Sequence, residues 1–310
     1  MSEGAREDPV EPTGHVVTEH PSFNKPWTVW FPLLTLGLFL GGTILAMLPV
    51  WPFDRFDYCA IQGDGFITLN RLLNSWPEGL WWNLTQLGDA AVLIPLLSPI
   101  VLLRPQAWAA ALAAAPVASL FSVTFKHLAA VPRPAAYLDP DQFIVIGRTL
   151  KAKNSFPSGH SLTIFTGVIA VLVTLYLFER SWRLGALTLA ALTIACAVAI
   201  SRVAVGAHWP LDVLGGGLLG ILSGIVGAAL AARYQRWWRL QPGSVPRCLV
   251  GVILLLMSLS LFYQAFEAPY LAISFVFSGL CGLLATPWLM QGCRTRWLPA
   301  PADGNRSTLS

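Results

Sequence analysis

The sequence contains several uncharged stretches that are long enough to cross a lipid bilayer, and this feature restricts its fold more than any other. From Ser161 to Phe178, eighteen consecutive residues carry no charged side chain. A helix of about 20 apolar residues spans the hydrocarbon core of a membrane. Charged residues make up 12% of the chain, whereas soluble domains carry about 25%. The sequence therefore predicts an all-α protein, a polytopic bundle of membrane helices.

Eight stretches are candidate spans, and some of them show how they should pack. The loop between the second and the third is so short that these two helices should form a tight antiparallel hairpin, with Pro105 at the first helical position. The sixth span carries a small residue at every fourth position from Gly216 to Ala228, which favours close helix packing. The predicted spans are Trp27–Pro52, Trp82–Leu103, Pro105–Lys126, Ser161–Phe178, Leu184–Ser201, Asp212–Arg233, Leu249–Phe266 and Ala268–Gly292.

The spans are predicted to form a six-helix core and an additional pair. The core covers residues 27–233, and the pair covers residues 247–292, where it would brace the core, make an oligomer contact or shape a lipid groove. Residues 1–26 are predicted to be a disordered tail and residues 293–310 a second tail. The outer segment 53–81 is predicted to form a helix in the membrane interface, as a cover over a lateral lipid entrance or as an interfacial belt. The apolar residues behind this prediction are Ile67, Leu69, Leu72, Leu73, Trp81 and Trp82.

The distribution of Lys and Arg over the short loops predicts the orientation of the bundle. Basic residues collect at the ends of even-numbered spans, which marks that side as cytoplasmic. Both termini are then cytoplasmic, and the opposite side is the periplasm if the membrane is a bacterial inner membrane. The cytoplasmic basic residues are Lys25, Arg104, Arg180, Arg183, Arg233, Arg236, Arg239, Arg247, Arg294 and Arg296.

Several other kinds of site are not expected. The net charge of +4 is mild, and because no run of Lys or Arg is present, nucleic acid is not an expected partner. No cluster of metal-ligating residues stands out, and no metal or cofactor is expected. The cysteines form no C-x-x-C pair, so they are predicted to be small hydrophobic residues. They are Cys59, Cys196, Cys248, Cys281 and Cys293.

Three short motifs place charged and polar residues at one predicted membrane face. They read KHLAAVPRP from Lys126 to Pro134, PSGH from Pro157 to His160, and SRVAVGAHWPLD from Ser201 to Asp212. Each motif lies where a span begins or ends on the outer side. Because ionisable residues are costly at a membrane boundary, a cluster of them there indicates function.

The residue types in these motifs suit recognition of a phosphoryl group. Arg133 and Arg202 can hold phosphate oxygens with bidentate guanidinium groups, and Lys126 adds a point charge. At the start of the fourth span, the N–H groups near Ser158 and Gly159 have no partner within the helix. A helix N-terminus of this kind is a typical anion site.

Two histidines can supply the nucleophile and the proton donor that cleavage of a phosphate ester needs. His208 and Asp212 are four residues apart, so Asp212 can hold one ring nitrogen of His208 and direct the other at phosphorus. Taken singly, each motif has a structural alternative: a turn before a helix, a helix cap, or arginines that anchor lipid headgroups. Their position at adjacent helix ends on one face favours a shared site.

The ordered set of three motifs resembles the tripartite signature of the type 2 phosphatidic acid phosphatase superfamily, which includes integral membrane lipid phosphatases. The resemblance covers Lys126 to Asp212 and is complete at the signature positions. It implies that His208 attacks phosphorus, that Asp212 orients His208, and that His160 protonates the leaving oxygen. It also implies that no metal is needed and that the phosphoryl oxygens are bound by Lys126, Arg133, Ser158, Gly159 and Arg202.

The chain departs from the pattern at one position. Many members extend the first motif as Arg-Pro-Arg-Pro, whereas this chain continues with two alanines after Arg133 and Pro134, which leaves the headgroup preference open. Outside the signature, Asp89, Lys151 and Lys153 are candidate contacts for a substrate headgroup. The alternative is that Asp89 is a water-exposed helix end and that the two lysines are solvated.

The expected function is a membrane phosphatase that removes phosphate from a lipid at the outer face through a phosphohistidine. Extra cations in the outer loops favour a substrate with more than one phosphate, either undecaprenyl pyrophosphate or a lipid A phosphate. Phosphatidylglycerophosphate and phosphatidate are further candidates. A phosphotransferase that passes the phosphate to lipid A would use the same residues, and a non-catalytic lipid-binding or transport protein is a third possibility. The sequence leaves the oligomeric state open.

Overall fold

The computed structural model describes residues 55–178, 181–234 and 241–293, and within these ranges all regular structure is helical. The prediction of an all-α bundle is confirmed. The first predicted span, Trp27–Pro52, and both tails lie outside the described residues. The helices are α1 (Arg55–Leu73), α2 (Glu78–Gln86), α3 (Ala90–Leu97), α4 (Ile100–Leu103), α5 (Pro105–Ala129), α6 (Pro134–Tyr137), α7 (Gly159–Phe178), α8 (Trp182–Ala204), α9 (Pro210–Arg233), α10 (Val245–Phe266) and α11 (Ile273–Leu289), with a 3-10 turn at Pro140–Gln142.

Five helical segments in the described part of the chain are long and apolar enough to cross a membrane. The structure confirms Pro105 as the first residue of α5, after the tight connection that the sequence predicts. The last predicted span, Ala268–Gly292, is shorter in the structure, where the corresponding helix α11 contains 17 residues. The five segments are Pro105–Tyr137, Gly159–Leu177, Trp182–Ala204, Pro210–Arg233 and Val245–Phe266.

The second predicted span, Trp82–Leu103, is wrong as a single helix. The chain breaks between α2 and α3, and the segments Glu78–Gln86 and Ala90–Leu103 are bent by 73° relative to each other. Asp89 starts α3 as its N-cap, because its carboxylate accepts the N–H of Ala91 at 2.8 Å. A capping carboxylate satisfies an N–H that a continuous helix would bond to a carbonyl one turn earlier. The resulting bend, at residues 87–89, is called the elbow below.

The small-residue seam on α9 packs against α7 as predicted. A Cβ added at Gly216 would lie 2.4 Å from the carbonyl oxygen of Ser158, and one added at Gly220 would lie 2.5 Å from that of Leu162. At Gly224 the same test gives 2.9 Å to the carbonyl oxygen of Thr166. No side chain fits at these distances, so the glycines let the two backbones touch and bring the start of α7 against the start of α9.

The outer segment contains a helix, α1, that packs into the core of the described part of the chain. Phe66 is fully buried, with its ring centroid 5.2 Å from those of Phe143 and Trp209. Buried Asn70 donates to the carbonyls of Val203 and Ala204 at 3.0 Å each, near the end of α8. α1 is therefore part of the core and fixes the end of α8 that carries the third motif.

The two C-terminal helices are joined to each other at the ends remote from their connecting loop. Cys248 and Cys293, 45 residues apart, form a disulfide with a Cα–Cα distance of 6.0 Å. The prediction that the cysteines are small hydrophobic residues is therefore wrong for this pair, because the contact arises only when the two helices form a hairpin. Beside the disulfide, buried Arg247 donates to the Leu289 carbonyl at 3.2 Å and stacks on the Trp288 ring at 3.9 Å.

At its other end the C-terminal pair docks on α2. The amide of Asn83 donates to the Leu271 carbonyl at 2.8 Å and accepts the backbone N–H of Ser274 at 3.0 Å. The Tyr270 hydroxyl donates to Glu78 at 2.6 Å. These contacts connect the C-terminal pair to α2, which leads directly into the elbow.

Candidate active site

The structure brings the three sequence motifs together at the ends of five helices, α5 to α9. Lys126 lies in the last turn of α5, and Arg133 is the N-cap of α6. Ser158 precedes α7, while Arg202 lies in the last turn of α8. The backbone N–H of Ser158 donates to the carbonyl of Asp212 at 3.0 Å, which ties the second motif to the third.

The paired histidine and aspartate of the third motif face each other in a buried position. His208 Nδ1 lies 3.4 Å from Asp212 Oδ2, with His208 2% exposed and Asp212 fully buried. The backbone N–H of Trp209 donates to the same oxygen at 2.9 Å and caps α9. With Nδ1 directed at Asp212, the other ring nitrogen of His208 faces Arg133, whose Nη1 lies 3.5 Å from Nε2.

Two further side chains bind Asp212, and the sequence analysis missed both. The hydroxyl of Ser155 donates to Asp212 Oδ2 and lies 3.5 Å from His208 Nδ1. The hydroxyl of Tyr58, on α1, donates to Asp212 Oδ1 at 2.8 Å. Ser155 lies three residues before Ser158, so its proximity to the second motif was a usable signal. Tyr58 is 154 residues from Asp212, and no local pattern connects them.

Arg133 is fixed by the chain around it. Its Nε donates to the side-chain oxygen of Asn154 at 2.9 Å, and its Nη1 donates to the Ala207 carbonyl at 3.2 Å. Its backbone N–H donates to Ala152 at 3.0 Å. These contacts position the guanidinium beside His208 before any ligand arrives, and preorganised charge of this kind needs no rearrangement during a reaction.

Arg202 is buried and only partly paired. Its Nη1 donates to the Thr85 hydroxyl on α2, while its Nε has no hydrogen-bond partner within the part of the chain that the structure describes. Burying an unpaired donor on a cation is costly. An anion bound next to Arg202 would remove that cost. Thr85, like Tyr58, lies outside the motifs and was not predicted.

The structure modifies the predicted anion site at the start of α7. The N–H of Ser158 is already bonded to Asp212, so it is not free for a ligand. The Ser158 hydroxyl oxygen accepts from the Ser161 hydroxyl at 3.0 Å, which leaves its own proton available to donate. A Cβ added at Gly159 would lie 3.6 Å from Lys126 Nζ, so the ammonium group lies directly over the first turn of α7.

His160 lies at the mouth of an apolar cavity of about 340 Å³. The cavity is lined by residues of α3, α5 and α7. It extends along α5 from Ser122 to Trp108, which is about 21 Å of helix axis. Its wall includes Leu93 and Leu97, so most of its length is hydrocarbon-like. The cavity therefore leads from the polar site along the apolar helix α5.

Of the three candidate headgroup residues, the structure brings only one into the site. Asp89 lines the cavity mouth near His160, and one of its carboxylate oxygens is used in capping α3. Lys151 and Lys153 are exposed on the loop before the second motif. The structure therefore brings Asp89 to the site and leaves the two lysines on the surface beside it.

Electrostatics at the site keep His208 neutral. Burial lowers the pKa of His208 well below its ordinary value of about 6.5, and the nearby charges of Arg133, Arg202 and Lys126 lower it further. A neutral imidazole with Nδ1–H on Asp212 has a free lone pair on Nε2. That nitrogen is the one that faces the cationic cluster.

Comparisons with known proteins identify similar sequences over the region that contains the site. A model of the PAP2 superfamily matches residues 107–239, which contain all three motifs. A putative undecaprenyl-diphosphatase of Escherichia coli (strain K12), YbjG, is 32% identical over 190 residues, 56% of this chain and 90% of that protein. An undecaprenyl-diphosphatase of Sulfolobus acidocaldarius is 36% identical over 104 residues, 34% of this chain and 45% of that protein.

One solved structure is also similar. The crystal structure of Aquifex aeolicus LpxE shares 26% identity with a TM-score of 0.44, and the match covers 52% of this chain and 93% of that one. The family assignment depends instead on the sequence match to almost the full length of YbjG. The motifs, the helical fold and that match together show that this chain belongs to the PAP2 superfamily and is a membrane phosphatase within it.

Proposed function

We propose that this protein removes the terminal phosphate from a membrane lipid diphosphate at the periplasmic face, through a phosphohistidine formed on His208. Undecaprenyl pyrophosphate is the first candidate substrate, because two of the similar proteins are named as undecaprenyl-diphosphatases. The observation that carries the mechanism is the position of His208, whose Nδ1 faces Asp212 and whose Nε2 faces Arg133.

The first step is attack by the free Nε2 lone pair on the terminal phosphorus. An N–P bond forms, and the bond from phosphorus to the bridging oxygen breaks. Positive charge develops on the imidazole, and Asp212 stabilises it through Nδ1–H. Because the pKa of His208 is low in the free protein, the attacking form is present without a prior proton transfer.

The cationic cluster stabilises the charge on the transferred phosphoryl group. Arg133 faces Nε2 of His208, and Arg202 and Lys126 lie close enough to act on His208 electrostatically. The Nε–H of Arg202, which has no hydrogen-bond partner in the described part of the chain, is available for a phosphoryl oxygen. The hydroxyl of Ser158 and the N–H groups in the first turn of α7 can add hydrogen bonds. Donors that are already in place contribute more than donors that must rearrange.

His160 is the proposed acid and base. It lies at the cavity mouth, at the second position of α7, and in electrostatic contact with His208 and Arg202. It would give a proton to the leaving lipid phosphate oxygen, and would then take a proton from the water that attacks the phosphohistidine. The products are the lipid monophosphate and inorganic phosphate, and both histidines return to their starting states.

The apolar cavity supports a lipid rather than a small soluble substrate. It begins at His160 and continues along α5 toward Trp108, so a prenyl or acyl chain could lie there while its phosphates reach the cations. Burial of such a chain contributes about 0.8 kcal/mol for each methylene removed from water. Asp89 at the mouth and the exposed Lys151 and Lys153 remain candidate headgroup contacts.

The periplasmic location of the site is a proposal from the distribution of basic loops. It predicts that a cysteine in place of exposed Lys151 reacts in intact cells with a maleimide that does not cross membranes. Arg183 is exposed and lies on the predicted cytoplasmic side. A cysteine in its place should therefore react in intact cells only with a membrane-permeant maleimide.

Phosphate release from a panel of lipid phosphates in detergent tests the proposed function. Undecaprenyl pyrophosphate should be hydrolysed fastest, with a lipid A phosphate, phosphatidylglycerophosphate and phosphatidate as the comparison arms. His208→Ala should lower the rate by about 10³-fold or more. His127→Ala is the matched control, because His127 is exposed and next to Lys126, and it should retain activity. Label that moves from the lipid diphosphate to lipid A instead of free phosphate would identify a phosphotransferase.

A further inference from the structure

Tyr58 contacts the site from a position far away in the sequence, 154 residues before Asp212. Its side chain is 2% exposed, and its hydroxyl donates to Asp212 Oδ1 at 2.8 Å. It lies on α1, outside the three motifs and outside the segment that matches the superfamily model, which begins at residue 107. The mechanism proposed above does not use it.

The two oxygens of Asp212 have different partners. Oδ2 accepts from Ser155 and from the N–H of Trp209, and it faces His208 Nδ1. On Oδ1, the hydrogen bond comes from Tyr58. The terminal torsion of an aspartate is broad and nearly two-fold, so partners on one oxygen alone hold the carboxylate plane weakly. The bond from Tyr58 fixes the second oxygen and with it the direction of Oδ2 toward His208.

The surroundings of Tyr58 hold it in place. Gln62, one turn later on α1, donates to the Tyr58 carbonyl at 2.9 Å and accepts the N–H of Leu211, in the first turn of α9, also at 2.9 Å. The Tyr58 ring packs edge-on against Phe156, with centroids 6.4 Å apart. α1 is thus bonded to the start of α9 at two points, through Gln62 and through Tyr58.

The hydroxyl of Tyr58 acts as a donor. Burial raises the pKa of Tyr58 well above its usual value, and the nearby charge of Asp212 raises it further. The phenol therefore keeps its proton at neutral pH. A proton on Tyr58 and an ionised Asp212 form a charge-assisted hydrogen bond, which is stronger than a neutral one.

We propose that Tyr58 is a positioning residue that acts through Asp212: by fixing Oδ1, it holds His208 in the tautomer with Nδ1–H bonded to Asp212 and Nε2 free for attack. This inference rests on the proposed function of His208. It assigns to α1 a direct part in the reaction, in addition to its packing in the core.

Tyr58→Phe tests the inference, because it deletes the hydroxyl and keeps the buried ring. The value of kcat should fall by about 10- to 100-fold, the range expected from loss of one hydrogen bond to a charged group, while KM stays within about twofold. Tyr176→Phe is the matched control, since the Tyr176 hydroxyl bonds Thr188 at 3.0 Å between α7 and α8. It removes a comparable hydroxyl far from the site and should leave kcat unchanged.

A double-mutant cycle with Asp212→Asn separates positioning from general destabilisation. If Tyr58 acts through Asp212, the single-turnover rate of the double variant should be less than about twofold below that of Asp212→Asn alone. If Tyr58→Phe lowers the rate by the same factor in the wild type and in Asp212→Asn, the inference is overturned. Nitrogen-15 NMR of labelled histidines gives a readout without substrate: the His208 signals should show the Nδ1–H tautomer in the wild type and a mixture in Tyr58→Phe.

The outcomes distinguish the inference from the proposed function. Full activity of His208→Ala would contradict the proposed function, whatever Tyr58→Phe does. Loss of activity in His208→Ala together with full activity and an unchanged His208 tautomer in Tyr58→Phe would contradict only the role of Tyr58.

Discussion

Gly88, at the elbow between α2 and α3, lies directly against His160. A Cβ added at Gly88 would be 2.6 Å from Cβ and 3.1 Å from Cα of His160, closer than packed carbon atoms approach. The backbone of the elbow therefore sets the position of the first turn of α7. Since α2 also carries Thr85, the partner of Arg202, one broken helix supports both the proposed acid and the proposed phosphate-binding cation.

Gly88→Ala should displace His160 and lower kcat. A methyl group has no space there unless α2–α3 or the first turn of α7 moves, and misplacement of a catalytic group by about 1 Å can cost about 100-fold in rate. We expect a loss of about 10- to 100-fold in phosphate release. Gly65→Ala is the control, because nothing lies within 4 Å of a Cβ at that position on α1. Equal activity of the two variants would contradict the account of the elbow.

Asn83→Ala should loosen the C-terminal helix pair from α2. The substitution removes the hydrogen bonds to Leu271 and Ser274 and leaves the N–H of buried Ser274 without this partner, which should lower the free energy of unfolding by about 1–3 kcal/mol. A lower temperature of heat inactivation in detergent, with a smaller loss of kcat, is the expected result. Gln264→Ala removes an exposed amide bonded to Ser260 on α10 and should change neither quantity. If Asn83→Ala also leaves the temperature of heat inactivation and kcat unchanged, the C-terminal pair does not brace the core.

Ser119→Trp should impair the enzyme toward long lipids and spare short substrates. Ser119 lines the cavity on α5, and a tryptophan there would exclude two or three methylene groups, each worth about 0.8 kcal/mol. The kcat/KM for undecaprenyl pyrophosphate should fall at least ~10-fold, while that for para-nitrophenyl phosphate stays near the wild-type value. Leu120→Trp is matched in position, but Leu120 is 62% exposed on the outside of the helix. If kcat/KM for undecaprenyl pyrophosphate falls as much in Leu120→Trp as in Ser119→Trp, the lipid chain does not bind in this cavity.

The protonation of His208 should occur below pH 6.5 in the folded, substrate-free protein. Burial first, and then Arg133, Arg202 and Lys126, lower its pKa, so the unfolded chain binds this proton more readily than the folded one. The stability that neutral His208 contributes is therefore fully present above pH 6.5, and it is lost as the pH falls from 6.5 through the folded pKa. A histidine NMR titration, with His208→Gln to assign the signal, measures this directly. A pKa at or above 6.5 would contradict the electrostatic account.

The sequence predicts the residues of the site better than it predicts their supports. Lys126, Arg133, Arg202, His208 and Asp212 could be found because helix ends in a membrane bring charged residues to one face, and the spacing of four between His208 and Asp212 is a local signal. The contacts of Tyr58 with Asp212 and of Thr85 with Arg202 join residues 154 and 117 positions apart. No local pattern in the sequence reveals such pairings.

Two errors in the fold have physical causes of the same kind. The break at Gly88 and Asp89 could not be distinguished from a continuous span by apolar content alone, because a capping carboxylate and a short polar interruption look alike in sequence. The Cys248–Cys293 contact arises only when α10 and α11 fold back on each other. In contrast, the seam from Gly216 to Gly224 was predictable, because its spacing repeats with the helix.

The most direct test of the central claim is to trap the phosphorylated histidine. The protein is mixed for milliseconds with undecaprenyl pyrophosphate labelled with ³²P at the terminal phosphate and is quenched in alkali, where a phosphohistidine survives. The account predicts labelled protein that loses its label in acid, with the label on His208, and no labelled protein with His208→Ala. Label on another residue, or rapid hydrolysis by His208→Ala, would contradict it.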